Sequence, residues 1–580
     1  MSENNHIKKD EHFMAERIEL PPKYYLDYFQ YLLAFVRRFY YELLTSDEQE
    51  FLHDFDQLSE DAQCLFIRFT NRRVAFFRVR KIHYPEIEHW SEALLELEEK
   101  GFVARLSSYH QNRAAEAMDI FTKSEVLAFA RKLSIDTKGK AGLKKEEVTD
   151  WLLEAVPFAS LAPFVDSTEP VVKVNYEAQT MLFKFLFFGN RHADMSEFVV
   201  RDLGHLRFER FDEDRFVPHF TTRQEVEDRL NVSLAYEDFQ LMKTAGTDPL
   251  EINLWFLDWY EAHQPISDIA QPALDRLILR VAGFMERQKK LEEALELFQL
   301  TFMPPSRERQ VRLLVKLKDT EAALALVEEM LMSPRNAEEQ FFAIDFQNQQ
   351  MAQSQKKRAR KSTTEWLLKS ESVIIPVAWR NRVEEGVCEY YRQQGYQAVH
   401  SENVLFDGLF GLLFWDIIFD AGTSAIHHPL QRSPSDIYKP TFFEKRRPAL
   451  LERLDLLESK EDTLLFLESV FEEKFGIINP LVVWFPDLMS LIEVAVEKIP
   501  GAFLQKLLLE MATNVREHTR GFPDLFIWDE ERYDFIEVKS PTDHLSPQQL
   551  YWLRFFETVG IRSKVMRVVW AEPEILLENE

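Results

Sequence analysis

Two carboxylates and a lysine are grouped in the segment GFPDLFIWDEERYDFIEVKS, residues 521–540. Two strand-like apolar runs flank DEER, and a hairpin centred there places Asp524 directly opposite Glu537, with Cβ atoms about 4.5–5.5 Å apart. Lys539 lies on the same face because side chains alternate along a strand, whereas Val538 points away. Like charges at this distance repel, but a divalent cation binds such carboxylates. The segment is therefore either an ordinary hairpin with charged ends or most of a metal site.

The elements around this hairpin predict an α/β domain. From about residue 370 the pattern predicts a short apolar segment, a helix, a strand in YQAVH and a long, mainly helical stretch over residues 403–520. After the hairpin we expect a helix that begins at Ser546 and ends at Gly560, and then a last strand, KVMRVVW. A helix that crosses over between two strands implies a parallel pair. The chain is therefore expected to be mainly α-helical with an α/β C-terminal domain.

Length and composition indicate a multidomain intracellular protein. The 580 residues are too many for one core, and 46% of them are hydrophobic. Two cysteines, Cys64 and Cys388, fit a reducing cytosol. The N-terminal segment has no apolar signal region, and LFDGLFGLLFWDIIFD is too short and too charged to span a bilayer. We expect a soluble cytoplasmic protein without a membrane partner.

The net charge of −27 argues against nucleic acid unless the basic residues are segregated. Three segments are locally basic: residues 68–81, residues 121–145 and QKKRARK from Gln355. Each could equally be a solvated face. The candidate DNA contacts in these segments are Arg72, Arg73, Lys138, Lys140, Lys144, Lys145, Lys356, Lys357 and Arg358.

Helical patterns also organise the chain before residue 370. Residues 1–120 are predicted to be a helical, DNA-binding domain, and residues 121–160 a basic helix–turn–helix or a plain helical hairpin. Residues 161–224 are expected to be a linker or helical region. In residues 225–369 an Ala-Leu-x-Leu pattern recurs at Ala294 and Ala323, which favours helical-hairpin repeats over a simple helical scaffold.

Several motifs now resemble a known family. GFPDLFIW and FIEVKSPTDHLSPQQLYWL resemble the VRR-NUC branch of the PD-(D/E)XK nucleases, and LFGLLFWDIIFD with FFEKRRPALLERL resembles the Fanconi-associated nucleases. The match covers about residues 370–575. The resemblance implies a SAP-like DNA-binding module at 121–160, TPR-like helical repeats at 225–369 and a VRR-NUC nuclease domain at 370–580.

The resemblance also implies a set of site residues. Asp524, Glu537 and the backbone carbonyl of Val538 match metal ligands, and Lys539 matches the catalytic lysine. A glutamate on an upstream helix completes the metal site in the family, and Glu384 matches better than Glu385 because the family's acid directly follows a valine.

Asp543 and Gln549 match family positions near the site. Asp543 could instead only shape the turn before the helix at Ser546. The sequence departs from animal relatives at His544, where those proteins tend to have arginine, and at Gln548, where a basic residue is absent. A pocket for a 5′-terminal phosphate is therefore an open question.

The implied activity is hydrolysis of a DNA phosphodiester by one or two Mg²⁺ or Mn²⁺ ions, without a nucleotide cofactor, since no phosphate-binding glycine loop is present. Resemblance implies branched, 5′-flap double-stranded DNA as substrate, with 5′-flap endonuclease and 5′ to 3′ exonuclease action in interstrand crosslink repair at the bacterial nucleoid. Two alternatives stay open: a non-catalytic helical-repeat adaptor, and a junction-resolving nuclease of different polarity.

Overall fold

The structure is a computed structural model, which describes residues 19–72, 74–191, 193–357 and 359–571. Arg73 and Arg358, two predicted DNA contacts, lie outside the described residues. The chain divides into two units, Met1–Leu206 with Pro218–Arg223, and Arg207–Val217 with Gln224–Glu580. Within the described ranges, no single helix is long and apolar enough to cross a membrane, although one sharply bent helix pair, Lys145–Ala155 with Phe158–Thr168, passes by length and composition.

The first unit is mainly helical, as the sequence predicts for this part of the chain. Its helices commonly begin at side-chain caps, such as the capping boxes at Thr45 and Thr122. The helices are α1 Tyr24–Tyr40, α2 Ser46–Asp56, α3 Glu60–Thr70, α4 Trp90–Glu99, α5 Ala114–Asp119, α6 Lys123–Lys132, α7 Lys145–Ala155, α8 Phe158–Thr168, α9 Glu177–Phe188 and α10 Ser196–Asp202.

A small antiparallel sheet in this unit is absent from the sequence prediction. Its strands are β1 Phe76–Arg78, β2 Val103–Arg105 and β3 Val171–Val174, in the order β1-β3-β2. Each strand has only three or four residues, and the central strand comes far later in the chain than its partners. No local hairpin signal therefore marks it. The sheet joins residues of the predicted 1–120 domain to the predicted 161–224 region.

Helices of the second unit continue through the predicted repeat region. They are α11 Arg223–Ala245, α12 Pro249–Ala262, α13 Gln271–Arg287, α14 Leu291–Gln299, α15 Ser306–Lys316, α16 Thr320–Met332, α17 Ala337–Ser354 and α18 Ser362–Leu368. Consecutive helices from α13 to α17 pack against one another. Ala294 and Ala323, the residues of the 29-residue pattern, are fully buried in α14 and α16. Their equivalent positions agree with a repeat, although the TPR-like assignment stays a prediction.

The C-terminal part of this unit is α/β, which confirms the predicted fold class. Its elements are β4 Glu371–Ile375, α19 Val383–Arg392, β5 Gln397–His400, α20 Glu402–Leu413, α21 Trp415–Ile418, α22 Thr441–Leu454, α23 Lys460–Lys474, α24 Leu488–Lys498, α25 Gly501–Thr513, α26 Val515–His518, β6 Leu525–Trp528, β7 Tyr533–Lys539, α27 Pro547–Val559 and β8 Ser563–Trp570. The five strands form one sheet in the order β4-β8-β7-β6-β5.

The sheet confirms the predicted hairpin and crossover. Strands β6 and β7 are antiparallel, with Leu525 opposite Ile536 and Phe526 opposite Phe535. The same register, continued by one residue, places Asp524 across from Glu537. Strands β7 and β8 are parallel, and α27 connects them. Helix α27 starts after its cap at Ser546 and ends at Gly560, which is in the left-handed conformation.

Candidate active site

Asp524 lies one residue before β6, where three segments of the chain meet. Its backbone carbonyl accepts hydrogen bonds from the N–H groups of Ser401 and Glu402, at 2.9 and 3.0 Å. Its carboxylate Oδ2 accepts a hydrogen bond from the N–H of Val538, at 2.7 Å. The start of α20, the end of β7 and the entry to β6 therefore fix this carboxylate in position.

Glu537 is fully buried on the central strand β7. Lys539 Nζ lies 2.7 Å from Glu537 Oε1. Apart from this ion pair, neither carboxylate oxygen has a hydrogen-bond partner among the described residues. Burial and, next, the nearby charge of Asp524 raise the pKa of Glu537 to about 8, although Lys539 acts in the opposite direction. A buried carboxylate whose negative charge is so little compensated is suited to be the ligand of a metal cation.

Asp524 also has a carboxyl group with a raised pKa. Burial raises its pKa to about 6, against the hydrogen bond from Val538 and the positive charge of Lys539. The negative charges of Glu384 and Glu402 add to this rise in pKa. Perturbed carboxyl groups that are grouped in this way are typical of functional sites. The hairpin is therefore more than a turn with charged ends.

Glu384 lies in the first turn of α19, which packs on the sheet next to β7. It is partly buried and close enough to raise the pKa of Asp524. Glu385 is exposed and forms an ion pair with Arg382 at 3.0 Å. Within the described residues, however, no three Asp, Glu, His or Cys side chains converge closely enough to hold a metal ion. The structure brings Asp524, Glu537 and Lys539 together and leaves Glu384 nearby.

Glu402 is an acidic neighbour that the sequence analysis missed. It is the first residue of α20, shortly after strand β5, and its charge raises the pKa of both Asp524 and Glu537. The signal in the sequence is its position two residues after the YQAVH strand, whose partner strand begins at Leu525. Only the pairing of β5 with β6, separated by the long helical stretch, shows that Glu402 is close to Asp524.

The residues after β7 have structural partners. Asp543 accepts a hydrogen bond from the N–H of Ser540 at 2.9 Å. Although burial opposes it, this interaction lowers the pKa of Asp543. The side-chain oxygen of Gln549 accepts a hydrogen bond from the N–H of Ser546 at 2.9 Å, which caps α27. Asp543 therefore stabilises the turn after β7, and Gln549 stabilises the start of α27.

The sequence departs from the animal relatives at Gln548 and His544, and the structure shows what each of these residues contacts or lines. Gln548 is buried, and its Nε2 donates a hydrogen bond to Glu338 at 3.0 Å. His544 lines a cavity of about 1170 Å³ together with cations of α15 and of residues 360–361. Three of these cations, Arg309, Arg312 and Lys316, form ion pairs with glutamates at 3.6, 2.8 and 3.1 Å.

The predicted DNA contacts in the first unit differ in their availability. Arg72 is exposed, as are Lys138 and Lys144. The Nζ of Lys140 lies 5.1 Å from the centre of the Trp151 ring, and Lys145 forms an ion pair with Asp119. These last two cations have intramolecular partners.

Much of the charge in the basic segment 68–81 is neutralised by acids. Arg68 pairs with Glu86. Arg78 lies 2.8 Å from Glu125 and 3.2 Å from Glu169. The segment is thus a weaker anion site than its sequence indicates. In the second unit, Lys356 and Lys357 are exposed.

Two family models match the chain. The model described as "FAN1, HTH domain" matches residues 23–104, and the VRR-NUC domain model matches residues 460–570. The second match contains Asp524, Glu537 and Lys539. Together with the α/β sheet and the buried carboxylates, it defines the chain as a nuclease, a phosphodiester hydrolase.

Similar proteins extend this finding to the whole chain. The Fanconi-associated nuclease 1 homolog of Pseudomonas aeruginosa is 30% identical over 564 residues, which are 95% of this chain and 96% of that protein. Human Fanconi-associated nuclease 1 is 34% identical over 195 residues, 32% of this chain and 19% of that protein. A crystal structure of paFAN1 bound to DNA with a two-nucleotide 5′ flap and a gap is 26% identical, with a TM-score of 0.80, and covers 96% of this chain and 100% of that one.

The chain belongs to the Fanconi-associated nuclease 1 family. It is accordingly a structure-selective DNA nuclease that depends on a divalent metal ion. The non-catalytic adaptor that the sequence left open is therefore wrong.

Proposed function

We propose that the chain cleaves 5′-flap DNA in the repair of DNA interstrand crosslinks, with a metal site formed by Asp524, Glu537 and the carbonyl of Val538, and with Lys539 as the catalytic lysine. One observation carries this assignment: Glu537 is fully buried and, apart from its ion pair with Lys539, has no hydrogen-bond partner within the described part of the chain, although Asp524 lies across from it. A divalent cation compensates such a pair of carboxylates.

The residues present fit Mg²⁺ or Mn²⁺, because the donors are carboxylate and carbonyl oxygens, which these hard cations prefer. One or two such ions, when bound, would polarise the scissile phosphate and generate a hydroxide nucleophile. Asp524 and Glu537 would hold the ions, and Glu384 or Glu402 would supply a further carboxylate from a helix start.

The role of Lys539 follows from its position next to Glu537. Its ammonium group is nearly buried and lies 2.7 Å from Glu537 Oε1. A cation at this place would orient the attacking water or offset the negative charge that develops on the phosphate. Asp543 would act through the conformation of the turn after β7.

A group of cations on the second unit would contact the DNA backbone. This basic cluster consists of Arg229, Arg276, Arg280, Lys439 and Arg516. In the described ranges, none of these cations forms an ion pair with a carboxylate. Partial desolvation lowers the pKa of Arg276, and Arg516 and Arg280 lower it further. Desolvation also lowers the pKa of Arg229, and the charge of Arg276 lowers it further. Mutually repelling cations of this kind are typical of a phosphate-binding surface.

The position of the basic cluster supports its role in substrate binding. Arg516 lies on α26, whose chain continues directly into Asp524. By contrast, three cations of the cavity next to His544 are paired with glutamates. The basic cluster is therefore a better candidate for phosphate contacts than that cavity. The predicted contacts Arg72, Lys138 and Lys144 would extend the contact surface on the first unit.

The substrate polarity of this proposal comes from the relatives. The Pseudomonas aeruginosa protein bears the name of a Fanconi-associated nuclease, and the similar crystal structures contain 5′-flap DNA. For this chain we infer 5′-flap incision with 5′ to 3′ exonuclease action, on DNA in the bacterial cytoplasm. A junction-resolving enzyme of different polarity is the alternative.

Cleavage of an end-labelled 5′-flap substrate tests the proposal. Wild type is compared with Asp524→Asn, Glu537→Gln and Lys539→Met in Mg²⁺ or Mn²⁺, with Glu531→Gln, an exposed acid of the same hairpin, as control. We expect Lys539→Met to reduce the cleavage rate by about 10²- to 10³-fold and the acid variants by at least as much. Equal cleavage by all proteins would refute the site, and products cut from the 3′ side would refute the polarity.

A further inference from the structure

A cavity of about 520 Å³ in the first unit lies far in sequence from the nuclease site. It opens between the end of α3, the strand β3 and the helix α9. Its floor is apolar where Phe69, Ala75, Val174 and Phe185 lie buried beneath it, and Val74 and Met181 add apolar surface that is exposed or partly exposed, next to polar side chains. Cavities of this size accommodate a small organic group, such as a nucleobase with its sugar.

Three cations line this cavity: Lys184, Arg72 and Arg191. Lys184 lies on α9 and lines the cavity; its Nζ donates a hydrogen bond to the neutral side-chain oxygen of Asn71 at 3.2 Å. Burial lowers the pKa of Lys184, and Asp194 only partly offsets this effect. Arg72 also lines the cavity, is exposed, and lies 5.9 Å from the centre of the Tyr84 ring.

The two carboxylates that line the cavity have other partners, although Asp194 also interacts with the charge of Lys184. Glu177 pairs with Arg113, and Lys173 is 3.3 Å from the same carboxylate. Asp194 accepts a hydrogen bond from the N–H of Ser196 at 2.8 Å. Because a desolvated lysine is costly unless an anion compensates it, the cavity combines an apolar floor with a place for negative charge.

We propose that this cavity binds one unpaired nucleotide of the DNA substrate, with the base on the apolar floor and the phosphate between Lys184 and Arg72. This inference rests on the proposed function, since it assumes that the chain binds branched DNA. It goes further, because it assigns a second binding site, in the other unit, to the single-stranded part of that substrate.

The chemistry of the cavity favours an unpaired nucleotide over duplex DNA. A duplex presents its phosphates on a convex surface and keeps its bases stacked inside, so it contacts exposed cations but cannot fill a recessed apolar floor. An unpaired base is free to leave the stack, and apolar or aromatic surfaces bind such bases with little sequence preference. Lys184 is partly buried beside that floor, whereas the phosphate contacts of a duplex need cations at the surface.

Binding measurements on the cleavage-blocked Asp524→Asn protein test the proposal without metal. The probes are a 5′-flap DNA, the same DNA with single abasic positions in the flap, and a blunt duplex. We expect Lys184→Gln to weaken binding of the flap DNA by about tenfold and of the duplex by less than twofold. We also expect one abasic position to weaken binding to the Lys184-containing protein but not to Lys184→Gln.

Two further variants make the outcome interpretable. Lys318→Gln removes the same charge from an exposed site after α15 and should bind like the parent. Lys184→Arg keeps the charge and should recover most of the affinity, which distinguishes a lost contact from misfolding. Equal weakening on flap and duplex, or no abasic effect, would overturn the nucleotide site. Cleavage by the otherwise wild-type protein tests the proposed function separately.

Discussion

Glu537 combines complete burial with a single ionic contact, so its charge depends on what occupies the space beside it. The period-2 pattern of the hairpin was enough to predict that Asp524, Glu537 and Lys539 share a face, because their register is local. Glu402 could not be predicted in the same way. Its proximity to Asp524 depends on the pairing of β5 with β6 across more than a hundred residues of helical chain.

Glu402→Gln tests whether this acid belongs to the metal site. We expect the substitution to lower the cleavage rate at limiting Mn²⁺ by about 10- to 100-fold, with partial recovery at high Mn²⁺, because one of the carboxylates around the ions becomes neutral. The measurement is the initial rate over a metal titration. Glu385→Gln is the control, since Glu385 is exposed and paired with Arg382. A metal titration identical to that of wild type would place Glu402 outside the site.

Asp407 on α20 predicts a pH dependence of stability. Its Oδ1 is buried without a hydrogen-bond partner in the described chain, and desolvation raises its pKa well above the usual value. The folded state therefore holds this proton more tightly than the unfolded state, so the stabilising contribution is present below about pH 4 and is lost as the pH rises.

For Asp407→Asn we expect a gain in the free energy of unfolding of about 1 to 2 kcal/mol at pH 8, and little change at pH 4, where the aspartic acid is already neutral. Denaturant unfolding at the two pH values measures this difference. A gain of the same size at both pH values would show that the effect comes from packing rather than from the charge.

At the scale of elements, Gly521 sets the approach of the chain to Asp524. It has a φ of +85°, and a Cβ there would lie 2.7 Å from the Cβ of Gln548 at the start of α27. Gly395, after α19, has a φ of +91° but open space around it. Both glycines thus have a left-handed backbone conformation, but only Gly521 lies closely against another element, α27.

Gly521→Ala is expected to reduce the cleavage rate by about a hundredfold, since the loop must move and displace Asp524. Gly395→Ala should cost about 1 kcal/mol of stability with nearly unchanged cleavage. Rates are measured with thermal unfolding of both variants. Similar losses of activity in both would mean that backbone strain, and not the contact with α27, controls the site.

The elements that sequence patterns predicted are those with local signals. Helix α27 has a cap at Ser546 and a terminating glycine, and β6 and β7 are joined by a short turn. The sheet of β1, β2 and β3 has no such signal, because its short strands meet only through tertiary packing. The same limit applies to the basic segment around Arg78, whose charge is neutralised by acids distant in sequence.

At the scale of the whole molecule, the net charge of −27 conceals a separation of charges. The basic cluster brings together cations from α11, α13, α26 and the chain before α22, which no local run of sequence reveals. An acidic protein can therefore bind DNA, because screening confines the effect of its other charges to about 10 Å at 0.1 M salt.

Removal of two cations of the cluster, Arg276→Gln with Arg516→Gln, should weaken DNA binding and make the slope of log K against log salt shallower by about 2. The double variant Lys289→Gln with Lys318→Gln removes two exposed lysines from helix ends elsewhere in the unit and should leave the slope nearly unchanged. Binding isotherms at several salt concentrations provide the comparison. Equal slopes for both double variants would exclude the cluster from the DNA contacts.

The pairing of the first strand of the nuclease sheet with the last has a consequence for biosynthesis. Strand β4 and strand β7 both lie beside β8, which comes last in the chain among the five strands of this sheet. Until residues 563–570 are made, β7, with Glu537 and Lys539, lacks one of its two neighbours. A nascent chain therefore cannot complete the site before residues 563–570 have emerged and paired with β7.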